Sequence, residues 1–306
     1  PPPSPFSSRR RHTRWNCSSR GLGDVYKRQI SSCTTDNTQT VAEFTDLVWQ
    51  DEFDTEGSPN PANWSFEIGT GTDGWGNNEL QYYTDRTENA NVENGLLVLT
   101  ALKEQFNGAN YTSARMLTRG KFDQAYGRFE ARIRVPEGSG LWPAFWLLGA
   151  DCEEVGWPLC GEIDIMEYRR QEPTSVSGSV HGPCYSGITV PQGQITKSYD
   201  LGNDRFDDGF HIFGIEWGPD YINYYVDDIL YNQITPDDIE VTPTDCIYTL
   251  DDGTDVTGEW VYNKPFYIIL NLAVGGNFPQ APDSDEVFPQ SMLVDYVRVY
   301  ENSNNQ

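Results

Sequence analysis

The segment GEIDIMEY, Gly161 to Tyr168, places three carboxylates, Glu162, Asp164 and Glu167, within six residues. The flanking Ile163, Ile165 and Met166 make it read as a strand, whose alternate side chains point to opposite faces. Glu162 and Asp164 then share a face, and Glu167 falls on the other. One buried carboxylate is costly, and three side by side repel one another. A fold keeps such a cluster where chemistry or a metal uses it. One extra residue bulging out at Ile165-Met166 sets two residues against one on the neighbouring strand and rotates Glu167 back beside the other two. A β-bulge is expected there. Two glutamates facing one cleft are the equipment of glycoside hydrolysis. One attacks the anomeric carbon; the other, protonated, gives its proton to the leaving oxygen. Asp164 would hydrogen-bond one of them and help set its charge state. The competing reading is a calcium site or an acidic edge strand, but calcium usually takes carboxylates from loops with Asp, Asn and Gly spacing.

The elements that position this strand are themselves strands. The globule starts at LVWQDEFD, from Leu47. NGLLVLTA (Asn94–Ala101) is an apolar run after a turn. GRFEARIRV (Gly127–Val135) alternates Phe129, Ala131, Ile133 and Val135 with Arg128, Glu130, Arg132 and Arg134, the pattern of a half-buried antiparallel strand. YINYYVDDILYN (Tyr221–Asn232) reads as a hairpin turning at Asp227-Asp228. PFYIILNLAV (Pro265–Val274) is a fully buried strand, and SMLVDYVRVYE (Ser291–Glu301) closes the body. No twelve-residue helical pattern competes. Many short strands with Gly and Pro turns predict a two-sheet sandwich or barrel. Residues 236–259, acidic and turn-rich, read as an insertion loop on this single domain, and 302–306 as a tail.

The 306 residues carry a formal charge of −25, unevenly placed. Residues 1–29 hold seven basic side chains and one acid, which leaves the rest at −31. Such a body repels nucleic acid and anionic polymers, so a neutral partner is expected. No run of eighteen apolar residues exists, so no membrane-spanning helix is expected. Residues 1–29 have no hydrophobic period and resemble a translated sequencing adaptor; they are read as non-native. ISSC, Ile30 to Cys33, resembles the end of a bacterial lipoprotein signal, and a polar tether runs to residue 46. The expectation is an exported protein, secreted or lipid-anchored through Cys33. The body has Cys152, Cys160, Cys184 and Cys246. With no CxxC pair, zinc is not expected. Cys152 and Cys160 would close a short loop, worth roughly 2.5 kcal/mol by the chain-entropy model, with Cys184–Cys246 the other pair. Four free thiols are the alternative.

GEIDIMEY resembles the bulged active-site strand, ExDxxE, of glycoside hydrolase family 16. GWGNNELQYYT (Gly74–Thr84), the stretch Ser113–Gly149, GWPLCGEIDIMEY (Gly156–Tyr168), VHGPCYSG (Val180–Gly187) and NLAVGGNFP (Asn271–Pro279) resemble its bacterial laminarinases, endo-β-1,3-glucanases. The resemblance covers about residues 47–301. It implies an all-β, concanavalin-like jelly-roll β-sandwich of two antiparallel sheets, with a concave cleft and retention of anomeric configuration. It makes Glu162 the nucleophile and Glu167 the acid/base, with Asp164 assisting; spacing alone does not tell the two glutamates apart. It implies no cofactor for catalysis, and a structural calcium ion on the Glu52 carbonyl, the Gly95 carbonyl and Asp295. Arg115, Asn77 and His181 match polar cleft positions; a surface ion pair for Arg115 and a structural histidine are the plainer readings. Trp142, Trp146 and Trp157 precede the acidic strand and suit sugar stacking, while about half of the nine tryptophans are expected in the core. Trp142 and Trp146, four apart, are read as sharing a face only if the chain bends there. Cys184 and Gln280 stand where glycine is common in the family. The partner implied is a neutral β-glucan, with no protein partner evident and a monomer expected. Activity on mixed-linkage glucan or a neutral galactan is the reading nearest to this one. A non-catalytic sugar-binding sandwich differs more, because it has no use for Glu162 and Glu167 together.

Overall fold

The computed structural model describes residues 44–186, 195–240, 248–249, 253, 255–256, 258–284 and 288–302. The basic segment 1–29, Cys33, Cys246, most of the tether and the tail beyond Asn302 lie outside them.

Two sheets stack face to face. The first has seven strands in the order Ile195–Asp200, Ser175–His181, Glu162–Tyr168, Leu141–Gly149, Phe266–Val274, Arg115–Leu117 and Ser65–Phe66. The second has ten strands. Its main path runs Ile229–Ile234, Tyr221–Val226, His211–Gly218, Gly127–Arg134, Gln290–Asn302, Leu96–Phe106, Ala109–Ser113 and Gln81–Tyr83. Phe44–Asp51 and Ala90–Glu93 join it off this path, and the one parallel pair among the described strands is Gln81–Tyr83 with Ala109–Ser113. This is the jelly-roll β-sandwich expected. The described helices are single turns, the longest of them Pro236–Glu240 and the kinked Gly74–Asn78.

Side-chain alternation builds the layers. Phe129, Ala131 and Ile133 are fully buried between the sheets, with Phe213, Ile215, Val294, Val297 and Val299 beside them. Arg128 and Arg132 face outward and pair with acids. Glu130, read as outward-facing, is nearly buried but sits 2.8 Å from Arg128 Nε, so its charge is compensated. Phe266–Val274 is buried along its whole length, as expected, and serves two environments. Phe266, Ile268, Leu270, Leu272 and Val274 enter the main core. Tyr267 and Ile269 face the other way and form a small cluster with Leu117 under Trp146 and Leu148. The hairpin turns at Asp227-Asp228, both left-handed, the geometry a two-residue turn demands.

Three boundaries differ from the expectation. The first strand begins at Phe44, so residues 44–46 of the tether belong to the sheet, and Phe44 pairs with Asn302 of the presumed tail. Within 236–259 the described residues include a helical turn and a short antiparallel ladder, Tyr248–Thr249 with Asp255–Val256, rather than plain loop. Ile239 from that turn is buried in the core. Cys152 and Cys160 form a disulfide. Cys184 is also disulfide-bonded; Cys246, its expected partner, lies outside the described residues.

Candidate active site

The acidic strand carries the expected bulge. Against Ser175–His181, Asp164 pairs with Ser179 and Glu167 with Ser177; against Leu141–Gly149, Asp164 pairs with Trp146 and Met166 with Phe145. In both ladders one extra residue of the acidic strand is absorbed between Asp164 and Glu167. Ile163, Ile165 and Met166 go into the core. Glu162, Asp164 and Glu167 all line one cleft of about 840 Å³ over the seven-stranded sheet.

Each carboxylate has its own donor. Trp157 Nε1 donates to Glu162 at 3.0 Å, and Trp142 Nε1 donates to Glu167 at 3.0 Å. His181 Nε2 lies 3.0 Å from Asp164 Oδ2 and 3.9 Å from Glu162 Oε1. Its Nδ1 donates to the Ser186 carbonyl at 3.0 Å, which turns Nε2 toward the acids. Burial opposes a charge on His181, but Asp164, backed by Glu162 and Glu167, outweighs it and raises the imidazole to about 10. Burial and then the Asp164 charge raise Glu162 to about 7 and Glu167 to about 8. Both are relieved by His181. Glu162 also feels Arg115, whereas Glu167 feels the charge of Glu162. The surroundings therefore favour ionisation at Glu162 and a retained proton at Glu167.

The residues expected in the cleft are all there: Asn77, Arg115, Trp142, Trp146, Trp157 and His181 line it. Trp142 and Trp146 share its face without any bend. Both lie in the strand Leu141–Gly149, and an even spacing in a strand keeps one face, so the expected bend was unnecessary. Arg115 does more than offer a hydrogen bond. Its Nε lies 2.7 Å from Glu67, and its guanidinium stacks on Trp75 at 4.7 Å and Trp146 at 4.8 Å. It holds two indoles apart as a charged spacer. Trp146 Nε1 in turn donates to Asn271 at 2.7 Å. As expected, Trp64 and Trp217 are core residues, with Trp49 and Trp260 packed against the core.

Sequence reasoning missed Trp75, Glu79, Asn271 and Phe278, which also line the cleft. Glu79 accepts from Gln81 at 2.6 Å and from the Tyr83 hydroxyl at 3.2 Å, and burial raises its pKa. Phe278 packs on Trp142 at 5.2 Å. The signal for Trp75 and Glu79 was their position in the WGNNELQYY run. Asn271 and Phe278 fall in the NLAVGGNFP run, Asn271 as the one polar residue of an apolar strand. No described residue of 236–259 lines the cleft.

The calcium set is partly committed. The Glu52 carboxylate holds Arg298 through two bonds of 2.7 Å. Asp295 sits at a register shift in the last strand, and its Oδ2 accepts from Arg132 at 2.7 Å. Two carbonyls and one carboxylate are the oxygen donors calcium takes; Arg132 shares the one anion and weakens the set.

The sequence model described as "Glycosyl hydrolases family 16" matches residues 77–257. The β-glucanase of Rhodothermus marinus is 42% identical over 260 residues, 83% of this chain and 85% of that one. The glucan endo-1,3-β-glucosidase of Cryptopygus antarcticus is 39% identical, over 82% and 90%. Among solved structures, the laminarinase catalytic domain of Thermotoga maritima MSB8 is 46% identical with a TM-score of 0.75, over 86% of this chain and all of that one. Sandwich, bulged acidic strand and these similarities agree: the chain belongs to glycoside hydrolase family 16.

Proposed function

We propose that this chain is a retaining endo-hydrolase of β-1,3-glucan, of the laminarin type. The observation that carries the reading is the bulge, which brings Glu162 and Glu167 to one cleft face in unequal surroundings. Glu162, nearer the cations, attacks the anomeric carbon as a carboxylate. Glu167 gives its proton to the departing glycosidic oxygen, and a glycosyl ester on Glu162 results. Glu167, now ionised, takes a proton from water as the water displaces Glu162 at the same carbon. Two inversions retain configuration. Asp164 holds His181 charged, and the imidazolium in turn favours the Glu162 carboxylate beside Glu167. The tryptophans and the open cleft suit a long neutral chain.

The test is reducing-end release from laminarin by the purified protein beside Glu162→Gln. Turnover by the wild type, lowered at least a thousandfold in the variant, supports the reading. Binding without turnover in both would favour a glucan-binding sandwich. Neither binding nor turnover would point to mixed-linkage glucan or a neutral galactan.

The calcium ion belongs to the same proposal, as a structural ion held by the Glu52 and Gly95 carbonyls and Asp295. Added calcium should raise the melting temperature over that in chelator, and Asp295→Ala should abolish the difference; equal melting in both solutions would remove the ion.

A further inference from the structure

Two of the three cleft tryptophans between residues 142 and 157 are fixed by sheet hydrogen bonds. Both sit in the strand Leu141–Gly149, where Trp146 pairs with Asp164 and Ile269 and Trp142 with Ala273. Trp157 does not. It rides on the loop between that strand and Glu162, yet it supplies the indole N–H that reaches the Glu162 carboxylate. Packing does little to hold it: Trp157 is 37% exposed, and Val155, two positions earlier, is 41% exposed. Its nearest ring partner is His181, with centroids 6.4 Å apart. Something else must fix the loop.

We propose that the Cys152–Cys160 disulfide is a positioning device for the active site, tying the loop at its base so that Trp157 stays on Glu162. The two cysteines lie eight residues apart, with their Cα atoms 4.8 Å apart, and bracket Trp157. Cys160 is fully buried, and its N–H donates to the Gly156 carbonyl at 3.0 Å. It precedes Gly161, whose left-handed backbone leads into Glu162. An added Cβ on Gly161 would lie 2.9 Å from both Phe266 and Val261, so that end cannot shift freely. Lys264 makes a second clasp, from Asp151 at 2.7 Å to the Leu159 carbonyl at 3.3 Å. The crosslink removes conformations the loop would otherwise sample, and the saved entropy appears as a fixed indole. This inference rests on the reading of Glu162 as the nucleophile.

A fixed N–H on Glu162 favours its carboxylate. The other charged groups facing Glu162 are Asp164 and Glu167 on its own strand, His181 from the neighbouring strand and Arg115 across the sheet. None lies on the loop, so freeing the loop removes one donor and leaves these charges in place. Glu162 then holds its proton to higher pH.

The experiment compares wild type, the pair Cys152→Ser/Cys160→Ser, and Trp157→Phe. Alkylation and mass measurement of the folded wild type should find Cys152 and Cys160 protected; free thiols there would overturn the proposal. The acid limb of kcat/KM should move up by as much as about one pH unit in the serine pair, costing about tenfold at low pH and little above the limb. Trp157→Phe, with its disulfide intact, should move the limb likewise. An unmoved limb in Trp157→Phe overturns the proposal even if the serine pair fails to fold. Independently of substrate, the indole N–H resonance that Trp157→Phe removes should follow the Glu162 titration in wild type and lose that dependence in the serine pair. An unchanged resonance overturns the proposal. If wild type releases nothing from laminarin, the glucanase reading fails, while the resonance still reports on the loop.

Discussion

Glu162 and Glu167 are held where a carboxylate is least comfortable. Unfolded, each titrates near 4.3; folded, burial first and Asp164 second hold them to about 7 and about 8. Between these limits the folded chain keeps protons the unfolded chain has lost, so stability falls as pH rises. His181 works in the same direction: its folded value of about 10 gives stability that is full below about 6.5 and lost on the way up to 10. Glu167→Gln removes one of the penalised carboxyls. Its urea midpoint at pH 8 should exceed that of wild type, with the gap closing toward pH 4, while activity is lost. A variant less stable than wild type at pH 8 would contradict the burial argument. Two other residues carry a backbone cost that explains a departure from the family pattern. Cys184 and Gln280 stand where glycine is common, and both adopt left-handed φ, 71° and 62°, a region glycine enters without penalty. The disulfide on Cys184 and the bond from Gln280 to the Asn277 carbonyl at 2.7 Å offset that cost. The acids were legible in sequence because strand parity leaves so few ways to place three of them. Glu79 and Asn271 were not. Their partners are fixed by folding: Asn271 reaches Tyr83 across 188 residues, and the Gln81 that holds Glu79 also accepts from Val274 across 193.

The acidic strand poses a choice that its bulge resolves. A regular strand ending one residue earlier would also aim its last glutamate into the cleft, because deleting Met166 leaves Glu162, Asp164 and the following glutamate at even spacing. The bulge instead sends Ile165 and Met166 both into the core. Deleting Met166 should therefore cost roughly 2–5 kcal/mol from the lost side chain. It should still leave turnover well above that of Glu167→Gln, read as kcat on laminarin beside a urea melt. Deletion activity no better than Glu167→Gln, in a folded protein, would mean that the bulge sets distance as well as direction. Elements with a clear local pattern were legible at this scale: the hairpin at Asp227-Asp228, the continuous apolar run Phe266–Val274 and the alternating Gly127–Arg134 appear where the pattern put them. The ends were not. Phe44–Asp46 and Asn302 look polar and loop-like, and become strand because each completes the other's ladder, a pairing no local pattern reveals.

Charge is the property that belongs to the whole chain, and it separates substrates. At −25 overall, the molecule repels a polyanion at long range, by an interaction that salt screens over about 10 Å at 0.1 M. On the outer face of the ten-stranded sheet the cations are spent on neighbours: Arg128 on Glu130, Glu216 and Asp228, Arg298 on Glu52, and Arg132 on Asp295. In the cleft, Arg115 is committed to Glu67 and two indoles, and His181 to Asp164. No cation described at the site is left to receive a sulfate. A neutral glucan feels none of this field. Its kcat/KM should change by less than about twofold between 20 and 500 mM sodium chloride. A sulfated glucan of equal length should bind weakly at low salt and more tightly as salt rises, the reverse of a site that recruits anions. Strong low-salt binding of the sulfated chain, weakened by salt, would mean that an uncompensated cation faces the cleft and that the substrate is charged.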